Sequence, residues 1–429
     1  HWTLKWADLL QNSRKYVGEK GTYAFREWIR QSISTNKPYD QMARELLTSR
    51  GSSYDNPAAN YFRVTREPKP TMEKTTQVFL GVRMVCAQCH DHPFERWTQN
   101  QYYEMAAFFS AVGIRPGYEV GEEIIFDQRE DYEMKHPKDS RVVKPKFLVS
   151  ATVASTQPSA IPSDAKRRQA LAEWVTSKDN PFFAKSTANR VWSYFFGRGI
   201  IEPVDDIRAS NPPSNPALLD ALTKDFVESG FDLRRLMRTI VNSRTYQASI
   251  VTNEWNASDT MNFSHAAPRR LTAEQLMDAV TLAAGVRPVF PEVPPDTRAE
   301  QLVDPHVGKD GFLDLFGRPA RESACECERR SDLSLPQALN LVNGKTISDA
   351  VADPRGRLAK AILGGRSDQD LVDELYLSSL SRPPTPSELE SGVKYLSGSE
   401  GSSQAQGRAA RAQDLLWALV NSKAFLYNY

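Results

Sequence analysis

The chain of 429 residues has little cysteine, no long apolar run and almost no excess of charge of either sign. Four cysteines are too few for the disulfide framework of a small secreted domain. No stretch approaches 18 uninterrupted apolar residues, so the sequence predicts no membrane span. The 54 basic and 53 acidic side chains nearly cancel, which leaves no overall positive field to bind a phosphate backbone. We therefore expect no nucleic-acid partner.

The common catalytic signatures are missing as well. The sequence has no G-x-S-x-G, H-E-x-x-H, P-loop or dinucleotide-binding glycine motif, which removes the usual support for a hydrolase or an NAD-dependent enzyme. The first residue is His1 rather than Met, and no signal peptide is visible. We therefore expect that an N-terminal portion was removed or lies outside this chain, and that the first domain is incomplete.

Most of the chain follows a helical period of apolar residues. In the third predicted helix, for example, Tyr39, Met42, Leu46 and Leu47 share one face. The first half predicts helices over residues 2–16, 23–34, 39–49, 71–89 and 98–112, with a loop over 52–70. The second half predicts helices over residues 165–176, 186–196, 216–229, 233–242, 336–352, 355–364, 368–380, 384–397 and 403–424.

Short alternating runs between residues 114 and 150 predict a different local structure, a small β-rich insertion. Residues 150–164 have the composition of a linker. The sequence therefore predicts a mainly α fold. We expect an N-terminal multi-helix domain over 1–113, the β-rich insertion and linker over 114–163, and a C-terminal helical domain over 164–429.

The most informative motif is CAQCH at positions 86–90. Two cysteines three positions apart on a helical turn match the two vinyl groups of heme, to which they bind as thioethers. The histidine that follows then reaches the iron as an axial ligand. The motif predicts heme c bound by Cys86, Cys89 and His90.

Five neighbours of this motif are candidates to support the cofactor. Asp91 and His92 are candidates to orient the ligand through hydrogen bonds. Arg83 and Arg96 are candidates to bind the heme propionates, and Trp97 to pack against the macrocycle. Further aromatic surface is offered by Tyr102, Tyr103, Phe108 and Phe109, although a core of packed helices accounts for the same residues.

The ligand on the opposite face of the iron stays open at this point. Met105 is the nearest methionine downstream, and His136, His265 and His306 are the remaining distant imidazoles. Without such a ligand the iron would be five-coordinate and open to peroxide or oxygen, as in a heme peroxidase.

The second pair of cysteines, Cys325 and Cys327, lies in the motif CEC among three glutamates and several arginines. One interpretation joins this pair with Cys86 and Cys89 into a four-cysteine site for zinc or an iron–sulfur cluster. Another keeps the heme and makes the pair a redox-active disulfide beside it. A third leaves it as a free or structural pair.

Polar groups also cluster at residues 189–192, 205–206, 211–213 and 268–270. The adjacent Asp205 and Asp206 are candidates for acid–base chemistry. A buried network of arginines and aspartates that ties helices to loops is the interpretation that we favour.

Long motifs resemble a known family. The run FLGVRMVCAQCHDHPFERWTQNQYYEMAAFF (79–109) is similar to the planctomycete cytochrome C domain of unknown function. Residues 189–222, 268–280 and 316–344 are similar to its usual C-terminal partner, another domain of unknown function. The resemblance implies a large secreted protein, often with a cytochrome c module upstream, and it implies heme at Cys86, Cys89 and His90.

Our leading hypothesis is therefore a periplasmic or extracellular c-type heme protein in electron transfer. It would exchange electrons with a redox partner protein, such as another cytochrome. Coupling to an extracellular oxidation would make it a heme-dependent oxidoreductase. The alternative is a non-catalytic surface or assembly protein whose four cysteines hold a structural zinc ion or iron–sulfur cluster.

Overall fold

The computed structural model describes residues 1–93, 95–128, 132–148, 166–307, 311–329, 332–398 and 404–428. Helices dominate these ranges, and the strands are short and few, so the predicted mainly α class is confirmed. None of the described helices is long and apolar enough to cross a membrane. The predicted linker at 150–164 lies outside the described residues.

The chain divides into two compact units. The N-terminal unit comprises Trp2–Ala267 together with Arg321–Glu328, and the C-terminal unit comprises His1, Pro268–Ala320 and Arg329–Tyr429. The segment that carries the second cysteine pair therefore belongs to the same unit as the first pair. The boundaries expected near residues 113 and 163 remain a prediction.

The N-terminal unit is built from helices and small antiparallel sheets. Its α-helices are Trp2–Leu9, Arg14–Ser34, Tyr39–Thr48, Asn60–Thr65, Pro68–Thr75, Gln99–Ala106, Arg167–Val175, Phe183–Phe196, Pro216–Glu228 and Leu233–Val241. A π-helical turn spans Thr76–Leu80, and 3-10 turns span Pro57–Ala59, Val85–Gln88, Ala107–Phe109 and Glu326–Glu328. Large buried side chains form its core, among them Trp6, Phe25, Tyr61, Phe79, Phe108, Phe183 and Trp192.

The predicted β-rich insertion is present in this unit. Strand Glu123–Asp127 is central and pairs antiparallel with Val112–Pro116 on one side and with Gly51–Ser52 on the other. Met134–Lys135 and Val142–Val143 form a separate antiparallel pair. The register of Val112–Pro116 against Glu123–Asp127 follows from their apolar side chains, since Ile114 stands opposite Ile125 and Ile125 is buried.

The C-terminal unit has its own core. Its α-helices are Ala273–Ala284, Phe312–Leu315, Leu335–Asn343, Lys345–Ala352, Arg357–Leu363, Asp368–Leu380, Pro386–Ser397, Gln404–Val420 and Lys423–Leu426, with a 3-10 turn at Ala299–Gln301. Strands Arg269–Arg270 and Tyr427–Asn428 pair antiparallel. Leu276, Val280, Leu371, Leu375 and Leu416 are among the side chains that fill the core.

One predicted helix is wrong, and the error matters for the site. The sequence predicted a helix over 71–89, but the helical backbone ends at Leu80 because Gly81 adopts a left-handed conformation with φ 64°. A Cβ at this position would come within 2.8 Å of Ser186 Oγ and 2.9 Å of Ile207 Cδ1. The cysteine motif therefore lies on a separate short turn rather than at the end of a long helix.

Two further boundaries are corrected. The first helix ends at Leu9 rather than at residue 16, and the next begins at Arg14, where the Ser13 side chain accepts a hydrogen bond from Lys15 N. The predicted loop over 52–70 contains the helix Asn60–Thr65 and the start of the helix that begins at Pro68. Turn-forming residues misled the prediction here, since proline is well tolerated in the first turn of a helix.

Candidate functional site

The CAQCH motif lies at the surface of the N-terminal unit. Residues Val85–Gln88 form a 3-10 turn, and Cys89 and His90 follow it directly. Both Cys86 and Cys89 are free thiols and exposed, whereas Ala87 between them is buried. The turn is thus anchored by its small central residue and presents both sulfur atoms to solvent.

The helix that follows holds this turn in place. Gln99 Nε2 donates to the carbonyl oxygens of Gln88 at 3.0 Å and of Cys89 at 2.9 Å, and Tyr103 Oη donates to Gln88 O at 3.3 Å. Gln99 is buried and lies in the first turn of Gln99–Ala106, which begins with a capping box formed by Thr98 and Gln101. The local sequence therefore fixes where the two thiols stand.

His90 is exposed and has a defined tautomer. Its Nδ1 lies 2.7 Å from the carbonyl oxygen of Asp91, and since a carbonyl oxygen only accepts, Nδ1 must donate. The neutral ring then carries its lone pair on Nε2, the nitrogen that is available to a metal. The Asp91 side chain makes a different contact: its Oδ1 accepts a hydrogen bond from Gln99 N at 2.8 Å.

The aromatic residues that follow the motif lie in the core, as the second of the two sequence-based interpretations has it. Trp97, Tyr102, Tyr103, Phe108 and Phe109 are all buried. Trp97 packs against Phe182, and Arg96 lies with its guanidinium 5.3 Å from the centre of the Trp97 ring. Burial raises the pKa of Tyr103, with a further contribution from the nearby Cys89. These rings therefore pack in the core below the CAQCH turn and do not form an exposed apolar surface beside it.

Arg83 links the CAQCH region to the second cysteine pair. Its Nε donates to the buried Asp205 Oδ1 at 3.1 Å, and a terminal nitrogen contacts the same oxygen. The same terminal nitrogen lies 3.6 Å from Cys325 Sγ. Gln77 Nε2 donates to the other oxygen of Asp205 at 2.5 Å. Asp205 thus holds Arg83 in position, and the guanidinium adjoins the sulfur of a residue 242 positions away.

Cys325 and Cys327 form a disulfide. The backbone N–H of Cys327 also donates to Cys325 Sγ, at an N···S distance of 3.2 Å. Cys327 is exposed, whereas Cys325 is half-buried beside Arg83. The two sulfur atoms therefore have different surroundings: one faces solvent, and the other has a cation and an N–H group beside it.

The segment Arg321–Glu328 is anchored to the N-terminal unit at both ends. At one end the buried Arg321 donates to Asp8 Oδ1 at 2.9 Å and to Asn12 O at 2.6 Å. Lys15 forms an exposed ion pair with Glu322. These contacts explain why a segment from late in the chain joins the unit formed by its beginning.

At the other end Glu326 meets two buried groups. Its Oε1 accepts from Arg190 at 3.1 Å and from Tyr194 Oη at 2.6 Å. Burial and the adjacent Glu326 hold the pKa of Tyr194 well above its usual value. Burial is the largest influence on the pKa of Arg190 and lowers it, but Glu326, Tyr194 and the other acidic groups around the guanidinium together raise it by more, so the net change is upward. The predicted buried polar network is thus present, with Glu326 as the partner of Arg190.

The other candidate ligands are not brought to the motif by any contact that we observe. Met105 is buried in the core, and His136 is buried with its ring centre 5.4 Å from that of Tyr103. Both ring nitrogens of His265 lie 3.1 Å from backbone carbonyl oxygens. His306, in the C-terminal unit, pairs with Asp304. His92 is half-buried, and its backbone N–H donates to Trp97 O.

No group of three or more His, Cys, Asp or Glu side chains within the described ranges is arranged to hold a metal ion. A four-thiolate site would in addition require the Cys325–Cys327 disulfide to be reduced.

Sequence reasoning missed the residues that support the two cysteine motifs. Gln99 holds the CAQCH turn, and Glu326 anchors the CEC segment through its contacts with Arg190 and Tyr194. The helix start predicted at Thr98 could have identified Gln99, because a residue in the first turn of that helix lies next to the CAQCH turn.

Two family models match the chain. The protein of unknown function family DUF1549 (PSCyt2) matches residues 1–113, and the protein of unknown function family DUF1553 (PSD1) matches residues 167–396, which is more than half of the chain. The chain belongs to the DUF1553 (PSD1) family. The expected resemblance to the planctomycete cytochrome C type of protein is thereby confirmed for this DUF1553 protein. No curated protein and no solved structure matches it.

Proposed function

We propose that this DUF1553 protein carries heme c on Cys86 and Cys89, with His90 as an axial ligand, and that it transfers electrons. One observation carries the proposal: two free, exposed thiols lie on a single turn that is followed by an exposed histidine whose Nδ1 is held by the Asp91 carbonyl oxygen. Thioether formation needs thiols that the heme vinyl groups can reach, and iron needs an unprotonated imidazole nitrogen. When bound, the heme would supply one-electron chemistry.

The residues around the motif have separate tasks in this proposal. Gln99 and Tyr103 hold the carbonyl groups of the turn, which fixes the spacing of the two sulfur atoms. The Asp91 carbonyl accepts from Nδ1 of His90, which orients the ring and leaves Nε2 for the iron. Because the motif is exposed, the cofactor edge would be open to a partner protein. An exposed edge suits electron exchange with another cytochrome.

The proposal places the protein in the periplasm or outside the cell. A disulfide persists in such oxidising compartments and is rare in the cytosol, so the Cys325–Cys327 bond supports this location. Arg83 is held by Asp205, and we therefore do not assign it to a heme propionate. Arg96 is exposed near the motif and keeps that role in the proposal.

Expression in a bacterium with an active c-type cytochrome maturation system tests the proposal. We expect a protein that keeps heme on a denaturing gel and gives a c-type pyridine hemochrome spectrum. Replacing Cys86 and Cys89 by serine should abolish covalent heme. The matched control replaces Cys325 and Cys327 by serine in the presence of a thiol reductant, and it should keep the heme.

The same spectra distinguish the remaining possibilities. A colourless protein that contains stoichiometric zinc would refute the cytochrome proposal and favour the structural metal site. A low-spin ferric spectrum would indicate a second axial ligand and pure electron transfer. A high-spin spectrum with peroxide turnover would instead indicate an oxidoreductase with an open iron site.

A further inference from the structure

We infer that the Cys325–Cys327 disulfide is a redox-active bond that oxidises the thiols of an external dithiol. The pair lies on the segment Arg321–Glu328, and the proposed heme attachment gives it no role. Thiol–disulfide exchange needs one sulfur that an incoming thiolate can reach and a second sulfur that leaves as a stable thiolate. The two sulfur atoms of this pair differ in both respects.

Cys327 is the sulfur that the incoming thiolate attacks. It is exposed, whereas Cys325 is half-buried and follows the buried Ala324. Attack at Cys327 Sγ breaks the bond to Cys325 and leaves the electron pair on Cys325 Sγ. Cys325 is therefore the leaving group of the first step.

Two hydrogen-bond donors contact the sulfur that leaves. A terminal nitrogen of Arg83 lies 3.6 Å from Cys325 Sγ, and the backbone N–H of Cys327 donates to the same sulfur at an N···S distance of 3.2 Å. A thiolate accepts such bonds more strongly than a disulfide sulfur does, so both donors stabilise the reduced pair more than the oxidised pair. This difference makes the pair easier to reduce and speeds the departure of Cys325.

The acidic residues around the pair are compensated. Each glutamate of the segment is engaged by a partner: Glu322 by Lys15, Glu326 by Arg190 and Tyr194, and Glu328 by the backbone N–H of Glu322. Asp205 pairs with Arg83 and offsets part of its charge, so Arg83 acts on the sulfur as one charge-assisted hydrogen bond. Such a bond changes an equilibrium constant by roughly 10-fold.

The reaction is balanced with a dithiol, such as the reduced C-x-x-C pair of another protein, as the co-reactant. Its first thiolate forms a mixed disulfide with Cys327 and releases the Cys325 thiolate. Its second thiolate then attacks its own sulfur in the mixed disulfide and releases Cys327. Two electrons and two protons pass from the dithiol to the pair, which ends as two thiols, while the dithiol ends as a disulfide. Neither heme nor the CAQCH motif takes part.

Reduction of the full-length C86S/C89S chain tests the inference, because Cys325 and Cys327 are then its only cysteines. We expect glutathione at millimolar concentration to reduce the pair while the chain stays folded, as measured by differential alkylation and mass spectrometry. Arg83→Gln keeps a donor for Asp205 but removes the charge, and it should lower the equilibrium constant of reduction roughly 10-fold. Arg235→Gln, which changes an exposed arginine of the helix Leu233–Val241, is the control and should leave this constant unchanged.

Two further measurements leave Arg83 in place. When the reaction with glutathione is stopped early by iodoacetamide, glutathione should be found on Cys327 and the alkyl group on Cys325. In the fully reduced chain, the alkylation rate of Cys325 should reach half of its maximum at a lower pH than that of Cys327, because its thiolate is the stabilised one.

Three results would overturn the inference. One is a pair that stays oxidised in glutathione until urea unfolds the chain, as a structural disulfide does. Another is glutathione attached mainly to Cys325. The third is an Arg83→Gln variant that matches the parent both in circular dichroism and in the equilibrium constant of reduction. Heme attachment is scored in separate experiments, so either result can fail without the other.

Discussion

Lys74 shows at the scale of a single residue how burial changes chemistry. The side chain is almost wholly buried, and its ammonium group donates to Leu10 O at 2.9 Å and lies 4.7 Å from the centre of the Tyr61 ring. In the described part of the chain no carboxylate lies within 4 Å of it. Burial lowers its pKa to about 7.

Lys74 therefore makes stability depend on pH. Above pH 7 the folded chain releases the Lys74 proton while the unfolded chain keeps it up to its ordinary pKa near 10, so this residue makes the folded state more stable as pH rises across that window. The slope is at most about 1.4 kcal/mol per pH unit. Below pH 7 the lysine is charged in both states and the full cost of its burial applies.

We predict that Lys74→Met removes this slope. The free energy of unfolding, measured in urea at pH 7.5 and pH 9.0, should rise by roughly 2 kcal/mol less in the variant than in the parent. Lys224→Met, at an exposed lysine, is the control and should follow the parent. Parallel pH profiles for Lys74→Met and the parent would show that the lysine remains charged when buried.

At the scale of elements, the end of the helical run at Gly81 determines the position of the CAQCH motif and of Arg83. Gly81 O accepts from Ile207 N at 2.7 Å, which brings the segment that carries Asp205 alongside the chain that carries Arg83. The CAQCH motif then occupies an exposed 3-10 turn that the next helix holds from below. A continuous helix would have given neither arrangement.

We predict that Gly81→Ala is more destabilising than an ordinary change at a left-handed glycine. Alanine would pay for the positive φ and would also collide with Ser186 and Ile207, so we expect a loss of about 2–4 kcal/mol in the free energy of unfolding. Gly18→Ala is the matched control, because Gly18 has φ 69° but nothing within 4 Å of the added methyl group. Equal losses in the two variants would show that the packing at Gly81 is not tight.

At the scale of the whole molecule, the N-terminal unit includes a segment from far along the chain, Arg321–Glu328, which completes its network of buried charges. Arg321 contacts Asp8 across 313 positions, and Glu326 contacts Arg190 across 136 positions. Arg190 is buried and would lack its carboxylate partner without this segment. The second cysteine pair therefore lies on a structural component of the unit that carries the first.

We predict that Glu326→Ala loosens this segment. It removes the carboxylate that pairs with the buried Arg190 guanidinium, which should cost roughly 3 kcal/mol in the free energy of unfolding and speed tryptic cleavage after Arg321. Glu322→Ala removes the exposed partner of Lys15 and is the control, with stability and cleavage close to the parent. Similar behaviour of the two variants would mean that Arg190 is satisfied without Glu326.

Helical class and most helix positions could be predicted from the sequence, because amphipathic spacing is a local signal. The helix Tyr39–Thr48 buries the predicted face, and Asp368–Leu380 has the predicted bounds. The prediction over 71–89 failed where apolar spacing outweighed the glycine stop signal at Gly81. The sequence left two roles open for the aromatic residues after the motif, packing against a cofactor or packing in the core, and in the structure they are buried in the core.

The sequence by itself determined the mainly α class, the family and the two cysteine motifs, since each depends on residues close together in the chain. Tertiary structure alone decided that both motifs share one unit, that Arg83 joins Asp205 to Cys325, and that Glu326 neutralises Arg190. These contacts span more than a hundred positions. Periodicity along the chain carries no information about which distant charges meet, because that depends on how helices and loops pack.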